Sequence, residues 1–112
     1  MQGLQPTHAK DRFHGRTVAI SGGAGDFGMN CGIRMAKEGA NVALIGRTEE
    51  SLNAAKLEVG KTATGNAKCM IVVCDVTKPE DCEAALAAIE KEFTHIHYVF
   101  NNAGYQGDFA MV

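Results

Sequence analysis

Several residue types that mark special classes of protein are scarce in this chain of 112 residues. It has no tryptophan, two prolines and four cysteines, which excludes a collagen-like repeat and a disulfide scaffold. The formal net charge is only −2, which argues against a nucleic-acid or membrane-surface protein held by bulk charge. No apolar run approaches the ~20 residues that a membrane helix needs. With 46% hydrophobic residues, the chain is expected to be one soluble globular domain rather than disordered.

The cysteines show no C-x-x-C pair and no histidine at zinc spacing, so no metal site is expected. Small buried thiols in a reducing compartment are the simpler interpretation. Residues 1–14 are polar and lack the apolar stretch of a secretion signal. They are expected to form an N-terminal arm ahead of one domain over residues 15–112, in a cytoplasmic protein.

Apolar strand-length runs alternate with helical patterns along the whole chain. Strands are predicted at 17–21, 41–46, 68–76 and 95–100, and helices at 26–38, 48–60 and 77–93. Strands that are apolar on both faces, each followed by a helix, predict an α/β fold. We therefore expect a Rossmann-like, doubly wound parallel sheet of four strands with three crossover helices.

Local signals predict how these helices begin and which way they face. Phe27, Cys31, Met35 and Ala36 recur at helical spacing and are expected to share the core-facing side of the first helix. Thr48 is a candidate N-cap for the second helix. The run 77–80 (TKPE) reads as a capping box that opens the third, with proline near its first turn.

A glycine cluster follows the first strand. Gly23-x-Gly25-x-x-Gly28 fits the dinucleotide fingerprint and stands between a predicted strand and a predicted helix. The glycines would allow a tight turn, close approach of a pyrophosphate to the backbone, and close packing of helix on strand. The free N–H groups at the helix start would then hold the phosphates. The alternative is an ordinary glycine-rich turn.

Asp26 does not suit this site, because a carboxylate repels a neighbouring pyrophosphate. We expect it to point away and to cap the first N–H groups of the helix instead.

The residue that ends the second strand should contact the adenosine ribose. Here that region is Gly46-Arg47-Thr48 and contains no acid. An arginine pairs with a 2′-phosphate, so Arg47 favours NADP(H) over NAD(H). Glu49 and Glu50 compete for the ribose but are better explained as first-turn helix residues, and Arg47 could also be a solvated surface charge.

Polar and small residues also follow the third and fourth strands. Asp75-Val76 could contact the adenine, or Asp75 could simply be a turn residue. The run 101–104 (NNAG) ends the fourth strand, which should lie beside the first. Small residues there would let a cofactor pass close to the backbone, and the asparagines could tie neighbouring strands together.

Together, the glycine loop from Ser21 to Gly28, Gly46-Arg47, Asp75-Val76 and the NNAG run resemble the short-chain dehydrogenase/reductase family over residues 14–107. The resemblance implies an NAD(P)-dependent oxidoreductase of alcohols, ketones, steroids or sugars, of which this chain would be an incomplete, cofactor-binding half. The implied cofactor contacts are Ser21, Gly22, Gly23, Gly25, Asp26, Phe27, Gly28, Arg47, Thr48, Asp75, Val76, Asn101, Asn102, Ala103 and Gly104. Ser21 replaces the family's threonine, and Asp26 stands where its second glycine would be.

The family's proton transfer uses a serine and a Tyr-x-x-x-Lys pair beyond the NNAG run. Neither Tyr98 nor Tyr105 is followed by lysine at that spacing, and His95 with His97 lacks a recognisable serine or cysteine partner. No catalytic residue is therefore assigned, and the chain alone is expected to be inactive.

The sequence is compatible with two functions. The first is the NADP(H)-binding part of a longer reductase that acts on a small-molecule substrate. The second is a non-catalytic nucleotide-binding or structural subunit derived from the family. In both, Val99, Phe100, Phe109 and Met111 would be partly exposed, so a homo-oligomer or further polypeptide is expected to cover them.

Overall fold

The computed structural model describes residues 13–101, and within them a four-stranded sheet carries three helices. The elements are β1 (Thr17–Ser21), α1 (Asp26–Lys37), β2 (Asn41–Gly46), α2 (Glu49–Gly60), β3 (Cys69–Val73), α3 (Pro79–Phe93) and β4 (Tyr98–Asn101). All neighbouring strands are parallel, in the order β3-β2-β1-β4. The predicted fold class is confirmed. The predicted arm over residues 1–14 lies almost wholly outside the described residues, as do positions 102–112.

The two central strands are buried on both faces, which explains why they read as continuous apolar runs. One face of the sheet, with Val18, Ile20 and Leu44, packs against α1 and α2. The other face, with Ala19 and Ile45, packs against α3. Helices therefore cover both faces, and the carboxyl ends of β1 and β2 are held side by side.

The cysteines are all free thiols distributed over both sides of the sheet. Cys69 packs on the face of α1 and α2, whereas Cys74 is buried against α3, as their odd spacing predicts. Burial raises the pKa of Cys69 to about 11.

β4 begins at Tyr98, three residues later than the predicted start at His95. The reason is the imidazole of His97. The backbone N–H of Thr17 donates to His97 Nδ1 at 3.0 Å, and the N–H of His97 donates to the Thr17 carbonyl at 2.9 Å. The His97 side chain thus accepts the hydrogen bond that a backbone carbonyl would accept in a regular strand pair. Backbone pairing of β4 with β1 starts at the next residue, Tyr98, which is opposite Val18.

Residues 13–101 contain neither a membrane-spanning helix nor a metal-binding cluster. No helix there is both long enough and apolar enough to span a bilayer. In the same residues, no three histidine, cysteine, aspartate or glutamate side chains cluster in a way that could hold a metal ion.

Candidate functional site

An open groove of about 350 Å³ lies where β1, β2 and β3 end. One wall is the glycine loop, the other is the start of α2, and the end of β3 closes the bottom. The groove is lined by Gly22, Ala24, Gly25, Gly46, Arg47, Thr48, Ser51, Cys74 and Val76. Five predicted site residues, at 22, 25, 47, 48 and 76, are therefore brought together. The position agrees with the rule that open parallel sheets bind ligands beyond the carboxyl ends of their strands.

The glycine loop requires small residues for two separate reasons. Gly22 has a φ of +70°, a conformation that favours glycine. Gly23 is buried, and a Cβ at this position would lie 2.8 Å from the Cβ of Leu44. The N–H of Gly23 donates to the Ile45 carbonyl at 3.0 Å, so the loop is tied to the end of β2. The turn is tight because the backbone packs directly on the neighbouring strand.

The first turn of α1 has free backbone donors. Gly25 is the N-cap residue, and no side chain makes a capping hydrogen bond. The helical ladder starts with the N–H of Met29, which donates to the Gly25 carbonyl at 2.8 Å. Among residues 13–101, no acceptor pairs with the N–H groups of Asp26, Phe27 or Gly28. These donors, at the positive end of the helix, provide an anion-binding geometry.

Asp26 does not cap α1, so the role expected for its side chain is wrong. The aspartate is the first residue of the helix rather than its N-cap, and it is exposed. A capping side chain must start from the N-cap position, which Gly25 occupies. The carboxylate therefore contributes only through its charge near the helix start.

Phe27 does not face the core, contrary to the helical spacing. Met35 and Ala36 are buried and Cys31 is half-buried, but Phe27 is 75% exposed. It belongs to the first turn of α1 and is not part of either buried cluster of the core. Its ring lines a second cavity of about 400 Å³, on the β4 side of the molecule, together with Ile20, Cys31, Val99, Phe100 and Asn101.

The wall formed by α2 carries a cation and two hydroxyls. Arg47 and Thr48 are exposed, Thr48 is the N-cap residue as predicted, and its side chain makes no capping bond. Glu49 and Glu50 occupy the first turn, as expected, and neither lines the groove. Among the described side chains that line the groove, none is acidic.

Asp75 turns towards its own loop rather than into the groove. Its Oδ1 accepts hydrogen bonds from the Thr77 hydroxyl at 2.6 Å and the Thr77 N–H at 3.0 Å. These bonds, with weaker help from Arg47 and Lys78, lower the pKa of the Asp75 carboxyl. Asp75 is thus a turn residue, and both of these hydrogen bonds are accepted by its Oδ1.

The same contacts overturn the capping box predicted at the start of α3. The N-cap residue is Lys78, with Pro79 at the first helical position, and no side chain makes a capping bond. Thr77 lies one residue before the N-cap, and its hydroxyl donates to Asp75 instead. The N–H of Asp75 in turn donates to Asp81 Oδ2 at 3.2 Å, which fastens α3 to the end of β3.

β4 ends against β1 through a side-chain bond. The Ser21 hydroxyl donates to Asn101 Oδ1 at 3.0 Å, as expected for an asparagine that ties strands together. Gly28 is buried in the contact of α1 with the sheet. The predicted site residues Asn102, Ala103 and Gly104 lie outside the described residues.

Four lining residues were missed by sequence reasoning at positions 24, 46, 51 and 74. Ala24 and Gly46 stand directly beside predicted residues, so loop continuity was an available signal. Ser51 is on the first turn of α2, three residues after the N-cap residue Thr48, and no motif distinguished it from other exposed helix residues. Cys74 carried no signal because it reads as a core residue; burial and the neighbouring Cys82 thiol raise its pKa to about 12.

Comparison with known proteins identifies relatives of this arrangement. A family model described as short chain dehydrogenase matches residues 16–111. Levodione reductase of Leifsonia aquatica is 38% identical over 96 residues, which are 86% of this chain and 36% of that protein. Glucose 1-dehydrogenase of Gluconobacter oxydans (strain 621H) is 35% identical over 101 residues, or 90% of this chain and 37% of that protein. The chain thus spans a little over a third of these relatives.

Solved structures give the same result for the fold. The crystal structure of NAD+-bound xylitol dehydrogenase superposes with a TM-score of 0.78 at 32% identity, covering 85% of this chain and 35% of that one. The crystal structure of levodione reductase gives a TM-score of 0.78 at 38% identity, covering 83% and 36%.

Proposed function

This chain belongs to the short chain dehydrogenase family, and from that premise we propose that it is the NADP(H)-binding part of an oxidoreductase. The reaction would be hydride transfer between the nicotinamide and the alcohol or ketone group of a small molecule. The family-level part of this statement follows from the matched model and relatives. The cofactor preference, the roles of individual residues and the substrate class are the proposal.

Dinucleotide binding is supported by the fit between the groove and a diphosphate. The unpaired N–H groups at the first turn of α1 would donate to the diphosphate oxygens, and Gly22 and Gly25 would let them approach the backbone. A Cβ at Gly25 would stand 3.5 Å from the Gly22 carbonyl, at the surface the diphosphate must reach. These open donors are the observation that carries the proposal.

The other proposed cofactor contacts lie on the two sides of the glycine loop, towards β3 and towards β4. Val76 and Cys74 would contact the adenine, with Asp75 beside them in its turn. Ser21, Phe27 and Asn101 lie towards the β4 side, where the nicotinamide would be. Residues 102–104 follow Asn101 in the sequence and are proposed to contact the cofactor on the same side. The bound nicotinamide would supply the hydride chemistry, while the residues of this chain orient the dinucleotide.

Preference for NADP(H) is supported by the charge at the α2 wall. Arg47 is exposed beside the groove, and the described lining contains no carboxylate that would accept the ribose diol and repel a 2′-phosphate. A guanidinium offers two parallel donors to a phosphate, which adds both affinity and geometric specificity.

Proton transfer is proposed to come from polypeptide other than residues 1–112, in line with the lack of a Tyr-x-x-x-Lys pattern. The surface near β4 is consistent with such an arrangement. Tyr98 and Phe100 are 39% and 37% exposed, and Phe27 lines an open cavity together with Phe100. Apolar side chains along a sheet edge favour contact with more polypeptide or with a second copy.

A second candidate is favoured by one residue. Asp26 places a carboxylate beside the open donors of α1, where it weakens attraction for a diphosphate. A family member that binds a dinucleotide weakly, and serves as a non-catalytic subunit, would tolerate this charge.

Titration of the purified protein with NADPH and NADH, followed by calorimetry, tests the first proposal. We expect saturable NADPH binding with one site per chain and weaker NADH binding. A turnover assay with alcohols and ketones should show no activity for these residues alone. Absence of binding by either dinucleotide would contradict the cofactor role and favour the structural subunit.

A further inference from the structure

The amino end of β4 is held on β1 by a histidine side chain. The N–H of Thr17 donates to His97 Nδ1 at 3.0 Å, and the N–H of His97 donates to the Thr17 carbonyl at 2.9 Å. Thr17 is buried, so its N–H has no access to water while the two strands are in place. Among residues 13–101, the imidazole is the one acceptor for this N–H.

The bond from Thr17 requires a neutral imidazole with a lone pair on Nδ1. Histidine is the side chain that changes its charge between about pH 5 and 8. In the charged form both ring nitrogens carry a hydrogen and neither can accept. Protonation of His97 would therefore point a second N–H at the N–H of Thr17. Because His97 is exposed, its ring can take up a proton without any prior opening of the fold.

The surroundings of His97 do not compensate for a positive charge on the ring. His95 and Tyr98 flank it, with ring centroids 6.1 Å and 6.5 Å from the imidazole, and β1 has no titratable side chain. Within the described residues, no carboxylate forms an ion pair with His97. The other charged or titratable groups of the neighbouring segments are three acids and three bases, namely Glu38, Glu90, Glu92, His14, Arg16 and Lys91.

β4 depends on this contact because it is a short edge strand. It has four residues and pairs only with β1 in the described sheet. A side-chain hydrogen bond holds each end of β4, from Thr17 to His97 at the amino end and from Ser21 to Asn101 at the carboxyl end. Of these two bonds, only the first changes with protonation near neutral pH.

We propose that His97 is a pH-sensitive latch, which holds the amino end of β4 on β1 when the imidazole is neutral and releases it when the imidazole is protonated. Since the folded strand pair favours the neutral ring, the stabilisation is present above the titration range of histidine and is lost as the pH falls through it. The inference does not depend on dinucleotide binding, because Thr17 begins β1 and the groove lies at the opposite end of the strands.

Hydrogen exchange of the Thr17 amide, followed by NMR and corrected for the intrinsic effect of pH on exchange, tests the latch. Between about pH 7.5 and 5.5, protection of this amide in the unaltered protein should fall about tenfold, as expected when a buried donor loses its acceptor. His97→Asn should remove the pH dependence, because Asn Oδ1 stands where His Nδ1 does and accepts at both pH values. Asp75 does not interfere, since its carboxyl keeps its charge over this range.

His95→Asn is the matched control, because it removes the neighbouring exposed imidazole and leaves the bond from Thr17 in place. This variant should retain the tenfold fall. If the unaltered protein showed the same protection at both pH values, or if His95→Asn abolished the fall, the inference would be overturned. Should His97→Asn fail to fold, ¹⁵N shifts of the unaltered imidazole decide: Nδ1 must lack a proton at pH 7.5 and gain one as Thr17 protection falls. A protonated Nδ1 in the protected state would refute the latch.

Discussion

Ser21 and Asn101 connect the carboxyl ends of β1 and β4 through a hydrogen bond of 3.0 Å from the serine hydroxyl to Asn101 Oδ1. Ser21 is fully buried, whereas Asn101 is exposed. The bond fixes the spacing of the two strands at the end of the sheet where the NNAG run begins. It also explains why a small hydroxyl residue fits the last position of β1.

Ser21→Ala should therefore lower the free energy of unfolding by about 1 kcal/mol, because the hydroxyl shares its one hydrogen between Asn101 Oδ1 and, at 3.4 Å, the Phe100 carbonyl. The cost stays modest because water can solvate the exposed amide of Asn101. Urea denaturation measures the change. Thr64→Ala is the control, since it removes only a 3.3 Å bond from an exposed hydroxyl to the Lys37 carbonyl. Equal stability of Ser21→Ala and the unaltered protein would contradict a structural role for this bond.

Gly23→Ala should destabilise the fold by about 1–3 kcal/mol, as overpacking of a well-packed site does. The added Cβ would lie 2.8 Å from the Cβ of Leu44, which is fully buried and has no room to shift. Gly60→Ala provides the opposite case at the end of α2, where a Cβ meets nothing within 4 Å. That change should stabilise by about 0.4–1 kcal/mol by restricting the unfolded chain. Thermal unfolding of both variants distinguishes steric conflict from a general effect of glycine replacement.

The glycine loop also shows how far the sequence alone could be interpreted. β1 and β2 were predicted with the bounds that the structure has, because both strands are buried on each face and read as apolar runs. Gly22 and Gly25, which line the groove, were predicted because glycine type and spacing encode backbone geometry directly.

Side-chain choices were less predictable, because local partners compete. Thr77 was predicted to cap α3, but α3 starts at Pro79 with Lys78 as its N-cap, and the Thr77 hydroxyl donates to Asp75. His97 replaces a carbonyl in the ladder, an option that apolar periodicity does not represent. Phe27 follows the helical spacing of core residues, but its ring is exposed and lines an open cavity beside β4. The partner is distant in sequence for His97, which accepts from the N–H of Thr17, and only two residues away for Thr77.

Asp26→Asn should strengthen dinucleotide binding by about three- to tenfold at low ionic strength, because it removes a negative charge beside the open donors of α1. The gain should shrink in high salt, since exposed charges are screened. Calorimetric titration with NADPH at two salt concentrations measures both effects. Glu83→Gln, an equivalent change at an exposed site on α3, should leave affinity unaltered. An unchanged affinity in Asp26→Asn would show that the carboxylate lies too far from the ligand to matter.

The same substitution should carry a cost in stability. Asp26 interacts favourably with the positive end of α1, an effect of about 0.3–1 kcal/mol for an exposed residue. If Asp26→Asn binds the dinucleotide more tightly and has a slightly lower free energy of unfolding, then the Asp26 carboxylate both weakens cofactor binding and stabilises α1.

Arg47→Asp should reverse the cofactor preference. It removes the bidentate partner of a 2′-phosphate and adds a repulsive charge, for a loss of about 100-fold in NADPH affinity. NADH should bind as well as before or better, since an acid at this place accepts from the ribose diol. Arg34→Asp makes the same charge change on an exposed part of α1 outside the groove and should alter neither affinity. An unchanged NADPH-to-NADH ratio in Arg47→Asp would refute the proposed preference.

Low pH should destabilise the turn between β3 and α3 by protonating Asp75. Because the Thr77 hydroxyl and N–H favour the charged form, the folded pKa of Asp75 lies below its unfolded value. Such a group stabilises the fold above the unfolded pKa, and the contribution disappears as the pH falls through the folded pKa. Thr77→Val keeps the shape and the N–H but removes the hydroxyl, so the pKa of Asp75 should rise part of the way towards its ordinary value. An NMR titration of the side-chain carboxyl measures this shift, with Thr64→Val as a control remote from the turn. If the pKa of Asp75 were the same with and without the Thr77 hydroxyl, the 2.6 Å bond could not be what holds it low.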